Sequence, residues 1–513
     1  MTSHSMAKHP PLHYGKPPVS RHRGLVFFIL TTISFAVPGL GIIGAWFKQP
    51  WLVLIMAVLA SLYELIQSLG ILLVARQANR QPNFPLIPLL NSLSHHLIES
   101  ERTEFDQLNT PLPNVHQPWL GVIVPAWNEL TGLPRTLNSL AMQTEPPDLI
   151  IVADDGSQDG SIDNLQITYE VTWQTVDGHL IGHSQLQPNL YVLRKEHSGK
   201  ADSINQALNI IHHLRPQDPE ITAADIILIL DADTRLLPNS IAALRQTWLQ
   251  YPHLTAVGGL LLPSCEGHSL ITRLLAYYQK YEYARVHIWR LAWSHLHSSL
   301  IMSGACAAFR RDRLEAIGGF NPRSWVEDYE IMYRLHRYFQ QNFQHQKQRC
   351  EVIIHPQVVV KTDAPGDIGS WLRQRRRWSG GFLETMYLHR EMVGQQRYGI
   401  LGQVYLVHNA LSIAMPFYGW LGLIAGTILW LNETPLLLEN SSLISVIFLV
   451  RIALGLGITA MSLKLYRRHY HQRDLSYIGL IVSELLSFFF YGVLGSLSYL
   501  WGYLTFFRRQ RHW

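Results

Sequence analysis

Apolar residues along this chain fall into two patterns. Long runs occupy both ends. Gly24–Trp46 and Trp51–Ala75 each reach the roughly 20 residues needed to cross a hydrocarbon core. Apolar runs return at Val404–Trp430, Ser442–Leu463 and Ser476–Phe507, so the pattern predicts five membrane spans. The first two are too long for a signal-peptide core and lack a small-residue cleavage site. Between the ends the runs are short. Leu120–Val124 stops at Pro125, Leu149–Ala153 at Asp154-Asp155, and Ile226–Leu230 at Asp231. Runs of this kind read as buried parallel strands, with helical stretches such as Gly199–His212 between them. An α/β fold with a parallel sheet follows, and such sheets bind ligands at the carboxyl ends of their strands. The segment Ile162–Gln187 reads as an insertion. Ile271–Trp293 and Phe382–Val393 mix apolar residues with Arg or Lys, and are expected either to lie at a membrane interface or to pack inside the middle region.

Composition sharpens this picture. The 513 residues are 48% hydrophobic and only 15% charged, where a soluble domain is about a quarter charged. The length suggests about two to four domain-sized units. With 15 Trp, 22 Tyr and 18 Phe the chain is not disordered. A net charge of +5 fits basic loops beside anionic lipid rather than a nucleic-acid surface. Cys265, Cys306 and Cys350 have no metal-type spacing, and an odd number of thiols points to a reducing compartment. Lys8, Lys16, Arg21 and Arg23 precede the first span, whereas the first hairpin has only Lys48. Arg76 and Arg80 follow the second span, and Lys464–Asp474 is basic while Asn432–Asn440 is not. Basic loops stay cytoplasmic, so the N-terminus, the middle region and Lys464–Asp474 are expected there. Five spans would put the basic end Arg508–Arg511 outside, against that rule.

Five short pieces carry chemistry. Pro125-Ala126-Trp127-Asn128-Glu129 follows the first strand as a turn and helix cap, or as a ligand loop. Asp154-Asp155 closes the second strand. Adjacent carboxylates repel unless cations or donors face them, which a uracil ring and ribose supply and a helix-capping loop also explains. Asp231-Ala232-Asp233 ends the third strand. In extended chain, residues i and i+2 point the same way, so two hard oxygens can meet one Mg²⁺ or Mn²⁺. Glu327-Asp328 opens a helical stretch, as a general base or simply as acids favoured at a helix start. Trp371–Trp378 packs four Arg and two Trp into eight residues, suited to a diphosphate and a sugar ring or to a membrane interface.

Together the pieces resemble the family 2 glycosyltransferases, in particular the membrane-embedded cellulose, chitin, hyaluronan and poly-N-acetylglucosamine synthases. The resemblance covers about Leu120–Gly381. It rests on these pieces in order, on Gln374-x-x-Arg377-Trp378, on Gly199-Lys200-Ala201 with Asn205, and on Ser303–Arg311 followed by Gly318-Gly319-Phe320. It implies an α/β GT-A-type nucleotide-sugar-binding domain, with a mostly parallel sheet, inserted between transmembrane helices. The expected organisation is a basic tail (1–23), two spans (24–75), a linker (76–116), the cytoplasmic transferase domain (117–381), an interfacial helix (382–403), about three further spans (404–507) and a basic end (508–513). It implies inverting, metal-dependent hexosyl transfer from UDP-N-acetylglucosamine or UDP-glucose onto a β-linked polysaccharide at the plasma membrane, coupled to export. The alternative is single-sugar transfer to a membrane lipid. Asp328 would be the base, and Asp231 and Asp233 would hold Mg²⁺ or Mn²⁺. Pro125, Asn128, Glu129, Asp154, Asp155 and Lys200 would border the nucleotide, and Glu327, Gln374, Arg377 and Trp378 would bind substrate. Partners would be the UDP-sugar donor, a glycan or lipid acceptor, membrane lipid and an accessory export subunit, with no nucleic acid. Departures are Val326 where many members have Thr, and Thr234 where cellulose synthases have His. No FxVT or WGTR segment is found, and Trp501 with Arg508 is a faint candidate for a C-terminal lid. Glu64, Arg451 and Glu484 fall inside apolar runs, as a polar conduit or as Glu64–Arg451 or Arg451–Glu484 pairs.

Overall fold

The computed structural model describes residues 24–80, 117–176, 178–214, 225–343, 348–432, 441–471, 475–487 and 491–508. The first tail and most of the linker and basic end lie outside them. The strands are β1 (Leu120–Ala126), β2 (Leu149–Asp154), β3 (Val171–Val176), β4 (His179–Ser184), β5 (Leu190–Arg194), β6 (Ile226–Leu230), β7 (Thr234–Leu236), β8 (Ala256–Ser264), β9 (Cys306–Arg310) and β10 (Val352–Asp363). The helices of the first half are α1 (Leu25–Trp46), α2 (Pro50–Arg80), α3 (Gly132–Ala141), α4 (Ser161–Tyr169), α5 (Lys200–Leu214), α6 (Ser240–Gln250) and α7 (Leu270–His295). Those of the second half are α8 (Arg311–Ala316), α9 (Glu327–Asn342), α10 (Ile368–Leu388), α11 (Leu406–Ser412), α12 (Tyr418–Leu431), α13 (Ser441–His469), α14 (Tyr477–Leu486) and α15 (Gly492–Phe507).

Every residue of β1, β2 and β6 is buried, which a strand achieves only with helices over both faces of its sheet. On one face lie Ile204, Leu208 and Ile211 of α5 with Ile288 of α7. On the other lie Leu133 and Leu137 of α3 with Leu244 and Trp248 of α6. Ile123 of β1 stands opposite Ile151 of β2 and Ile229 of β6, both in parallel register. The ten strands run in the order β3-β4-β5-β2-β1-β6-β9-β8-β10-β7. The expected parallel arrangement holds for β5-β2-β1-β6 and for β8-β10. The other pairings are antiparallel, so the sheet is mixed. The Ile162–Gln187 insertion is most of α4 plus the β3–β4 hairpin, which extends one edge.

Leu25–Trp46 and Trp51–Ala78 are long and apolar enough to cross a membrane. Leu401–Phe417 and Trp420–Leu431 pass the same test only as a pair, bent by 47°. Pro416, which has no N–H to donate, stands at that break. Ser442–Leu463 falls inside α13, and α14 and α15 lie within Ser476–Phe507, on either side of 488–490, which are outside the described residues. By length and composition, two or three of the five expected spans are thus found among the described residues. The expected helix over 382–403 is instead the end of α10 followed by short 3₁₀ and π turns, because Gly394 and Gly399 take φ of 76° and 56°. The α7 segment packs between the sheet (β8, β10) and the apolar helices α2, α13 and α14, with Leu270, Ile271, Arg273 and Lys280 exposed. Glu484 of α14 pairs with Arg285 of α7 and accepts from Thr459 (2.9 Å). The Glu64 and Arg451 side chains lie outside what is described.

Burial holds His336 and His355 down at about 4, against roughly 6.5 for a free imidazole. An unfolded chain therefore takes up protons on these residues before the folded one does. Each contributes stability that is present above about pH 6.5 and falls as the pH drops toward 4, by up to roughly 3 kcal/mol per residue. The thermal midpoint of the protein in detergent is expected to fall steeply between pH 6.5 and 4.5. His336→Gln is expected to flatten that slope, and an unchanged slope would remove His336 as a cause.

Candidate active site

Three strand ends and two helix starts meet at one edge of the sheet. At the end of β1, Asn128 takes the left-handed φ of 57°, a conformation Asn tolerates better than most residues. Its N–H donates to Ser157 Oγ (2.9 Å) and its Oδ1 accepts from the Gln158 N–H (2.8 Å). Asp159 accepts from the Leu130 N–H (2.9 Å). The loops after β1 and β2 are therefore one hydrogen-bonded unit. Pro125, opposite Ala153 in β2, anchors it to the sheet.

The two acids after β2 are engaged by this chain's own groups. Asp154 is fully buried. Its Oδ1 accepts from the Ser157 N–H (3.1 Å), while Oδ2 has no hydrogen bond among the described residues. Burial raises its pKa. Asp155 accepts from the N–H groups of Ser198 and Gly199 (both 2.9 Å), from Ser203 Oγ (3.1 Å) and from the Lys195 ammonium, with His197 Nδ1 at 2.8 Å. Burial opposes its charge, yet Lys195 and the Ser198 and Gly199 donors outweigh burial and hold the carboxyl below its ordinary value. Asp155 thus shapes the turn at Gly199-Lys200 that starts α5. Trp127 and His197 stack above these loops, with centroids 4.8 Å apart.

Asp231 and Asp233 follow β6. Gly132 lets α3 press against them, since a Cβ there would stand 2.9 Å from the Ala232 carbonyl oxygen and 2.6 Å from Glu129 Oε2. Burial, then the Asp233 and Asp231 charges, push Glu129 up to about 7. Burial, then Asp231, push Asp233 up to about 6. Asp363 stands nearby on Arg235 (2.9 Å). Among the described residues no three acidic, His or Cys side chains converge as a complete metal cage. The short supply of positive charge at Glu129 and Asp233, with two hard oxygen donors on one loop, fits a divalent ion that takes its other ligands from a diphosphate.

Glu327 and Asp328 form the first turn of α9. Asp328 Oδ2 accepts from the Gly304 N–H (2.7 Å), and Oδ1 from the Tyr329 N–H (2.9 Å). Lys200 Nζ reaches Asp231 Oδ1 (2.6 Å) and Glu327 Oε1 (3.1 Å), so it joins the β6 acids to the α9 acids. Gly304 makes room for this, since a Cβ there would stand 2.9 Å from Lys200 Nζ and 3.3 Å from Asp328 Oδ2. The neighbouring acids diverge. Burial and then Glu327 raise Asp328, whereas for Glu327 burial is outweighed by Lys200 and then Arg377. Such a split assigns different roles to paired carboxyls. Two residues on, buried Glu330 accepts from Arg334 Nε (2.9 Å) and lies 3.0 Å from His389 Nε2. Arg337 donates to His389 Nδ1 (2.8 Å), which fixes the proton on Nε2 and ties α9 to the residue after α10.

The arginines of α10 divide their work. Arg375 makes a two-pronged pair with Glu282 of α7 (2.7 and 2.6 Å) and lies 4.3 Å from the centre of the Trp378 ring. Arg376 stacks on Trp501 of α15 at 4.5 Å. Arg377 donates to the Trp325 carbonyl (3.4 Å) and acts electrostatically on Glu327 and Asp328. Gln374 Oε1 is buried with no hydrogen bond among the described residues. Ser379 and Gly380 of α10 touch Gly502 of α15, where a Cβ would stand 2.6 Å from the Arg376 carbonyl oxygen. Sequence reading did not find Glu282, Lys195, Gly304 or His389 as site supports. Gly304 lay within Ser303–Arg311, Glu282 within Ile271–Trp293 and His389 within Phe382–Val393, each singled out for another reason, and only Lys195 lay outside every such piece.

A mixed sheet with acidic strand ends, backed by helices that carry a buried carboxyl pair, defines a GT-A-type fold. Residues 116–381 match the profile of the family described as Glycosyltransferase like family 2, just over half the chain, and the chain belongs to that family. A hyaluronan synthase of Streptococcus pyogenes serotype M3 is 25% identical over 287 residues, 53% of this chain and 58% of that protein. A poly-beta-1,6-N-acetyl-D-glucosamine synthase of Staphylococcus epidermidis is 24% identical over 275 residues, 53% of this chain and 57% of that protein. The chain thus spans less than two thirds of the length of these relatives. Among solved structures, a mannosyltransferase from Pyrobaculum calidifontis in complex with GDP-Man and Mn²⁺ is 18% identical, with 92% of this chain and 99% of that chain covered at a TM-score of 0.47.

Proposed function

We propose that this glycosyltransferase transfers a hexose from a UDP-sugar, UDP-N-acetylglucosamine or UDP-glucose, onto a growing β-linked polysaccharide at the plasma membrane. The observation that carries the reading is the placement of Asp328. It is a carboxyl with a raised pKa, held by the Gly304 N–H and joined through Glu327 and Lys200 to the Asp231–Asp233 loop. Asp328 takes the proton from the acceptor hydroxyl as that oxygen attacks the anomeric carbon, and the bond to the UDP oxygen breaks. A single displacement inverts the anomeric centre, so an α-linked donor gives a β-linkage. Asp231 and Asp233 would hold Mg²⁺ or Mn²⁺, which supplies charge neutralisation at the diphosphate. Arg377 and Lys200 add fixed positive charge beside the leaving group. The loop unit of Pro125, Asn128, Glu129, Asp154 and Asp155 borders the nucleotide, and Gln374 and Trp378 line the acceptor end. The transferase domain, 117–381, faces the cytoplasm between the apolar helices, and the product is exported as it grows, with an accessory subunit.

Purified full-length protein, given either labelled UDP-sugar with Mn²⁺ or Mg²⁺, is expected to form high-molecular-weight product from one donor and none in EDTA. Label confined to a lipid-extractable fraction would replace polymer synthesis by single-sugar transfer. No transfer from either donor would reject the donor assignment.

A further inference from the structure

Asn205 of α5 and the Gly318-Gly319-Phe320 turn after α8 take no part in the site described so far, yet the structure joins them. Asn205 Nδ2 donates to the Phe320 carbonyl, and Asn205 Oδ1 accepts from the Phe320 N–H, both at 2.8 Å. One side-chain amide thus meets both backbone polar groups of one residue, as a neighbouring strand would. Phe320 is buried, so without Asn205 these groups would lose their partners away from water.

The same turn is held from the other side. Gly318 and Gly319 both take left-handed φ, 77° and 70°. Arg334 of α9 donates from Nη1 to the Ile317 carbonyl (2.8 Å) and from Nη2 to the Gly319 carbonyl (2.6 Å). Its Nε donates to Glu330 (2.9 Å), two residues past Asp328, so the whole guanidinium fork is engaged. The turn therefore lies between two helices that each begin with a site residue, α5 at Lys200 and α9 at Glu327. Lys200 Nζ reaches across to Glu327 Oε1 at 3.1 Å. Among the described residues α5 packs broadly on β1 and β2 but not on α9, so the turn links the two helices beside that contact. From Phe320 to Glu327 the chain is pinned again. The Ser324 N–H donates to the Asn321 carbonyl (3.1 Å), and the Trp325 N–H donates to Glu384 of α10 (3.0 Å). The charged groups that act on Asp328 are Glu327, Lys200 and Arg377, with Arg290 from α7. Of these only Lys200 stands on α5, so its place beside Asp328 depends on how α5 is held to α9.

We propose that Asn205 and Arg334 are positioning residues that hold Lys200 against Glu327 and Asp328, by gripping the Ile317–Phe320 turn from α5 and from α9. This rests on the proposed sugar transfer, in which Lys200 faces the leaving group and Asp328 the acceptor. A misplacement of about 1 Å in such a group can cost about a hundredfold in rate.

The test uses full-length protein in detergent. Asn205→Leu removes both bonds at similar volume. It is expected to lower kcat by about 10–100-fold, while UDP affinity by calorimetry changes no more than a few-fold. Arg334→Lys keeps a charge beside Glu330 but cannot hold both carbonyls, and should lose less. In a Lys200→Met background Asn205→Leu is expected to cost no more than about twofold, because the group it places is gone. A purely structural Asn205 would cost the same factor in both backgrounds, and that result would overturn the proposal. Without donor, amide hydrogen exchange in Asn205→Leu should rise by about tenfold or more over 317–330 and stay unchanged in β1 and β2. Unchanged exchange at Tyr329 and Glu330, or a rise throughout the sheet, would also overturn it. If Asn205→Leu does not fold, Arg334→Lys is carried through the same cycle and the same exchange measurement. A wild type that transfers no sugar from either UDP-sugar would reject the proposed reaction separately, and the donor-free exchange would still decide whether Asn205 and Arg334 place the start of α9.

Discussion

Asp328→Asn is expected to lower sugar transfer by about 10²–10⁴-fold, the range a positioned general base supplies, while UDP binding changes no more than a few-fold. The substitution keeps the side chain's shape. Its carbonyl oxygen still accepts from the Gly304 N–H that meets Asp328 Oδ2 at 2.7 Å, and the bond from the Tyr329 N–H to Oδ1, within the first turn of α9, is given up. Lys200 keeps both of its other partners, Asp231 and Glu327, so the β6 loop that faces the diphosphate is undisturbed. The larger loss is a group able to take the acceptor proton. Titration of UDP by calorimetry beside initial-rate transfer separates the two effects. A variant that retains more than a tenth of wild-type transfer would exclude Asp328 as the base. Equal loss of UDP affinity would show that Asp328 holds the loop rather than the proton.

The site was legible in the sequence wherever an acid closed a fully buried strand. Leu149–Ala153 and Ile226–Leu230 have no polar residue until Asp154 and Asp231, and burial on both sheet faces leaves no other way to read such runs. The antiparallel edge was not legible. Val171–Val176 is partly exposed and polar along much of its length, because one hairpin at a sheet edge needs little apolar surface. The same limit hid the partners of the acids. Asp155 is held by Lys195, forty residues on, and Arg375 by Glu282, more than ninety residues back. Those distances close only in three dimensions.

Hydropathy gave the apolar helices their places but not their pairings. Ser476–Phe507 reads as one long run, and within it lie α14, to Leu486, and α15, from Gly492, with 488–490 outside the described residues. The apolar pattern sets Glu484 against another apolar helix, and its partner is Arg285 on α7, the helix that also carries Glu282 and Arg290. One helix thus touches the apolar bundle through Arg285, the arginine-rich α10 through Glu282, and the surroundings of Asp328 through Arg290. Its amphipathic pattern alone distinguishes neither an interfacial helix nor a core helix, because its neighbours include both sheet strands and apolar helices.

Lys200→Met and Glu327→Gln are expected to move the pH dependence of transfer in opposite directions. Asp328 acts as a base only when deprotonated, so kcat/KM rises with pH through its pKa. Burial raises that pKa first and the Glu327 charge raises it further, while Lys200 pulls it back. Removing the Lys200 ammonium leaves Asp328 less able to lose its proton, and the acid limb moves to higher pH. Removing the Glu327 charge has the reverse effect and moves the limb to lower pH. On the acid side, a limb displaced by about one pH unit changes the rate about tenfold, so the two variants should diverge most there and converge at high pH. General damage to the site cannot imitate this, since it lowers the rate by one factor at every pH. Lys200→Met also leaves Asp231 and Glu327 without the cation that joins them, so its plateau should fall as well. If both profiles superimposed on the wild type after scaling, the titrating group would not be Asp328, and the division of roles between the two α9 carboxyls would have to be abandoned.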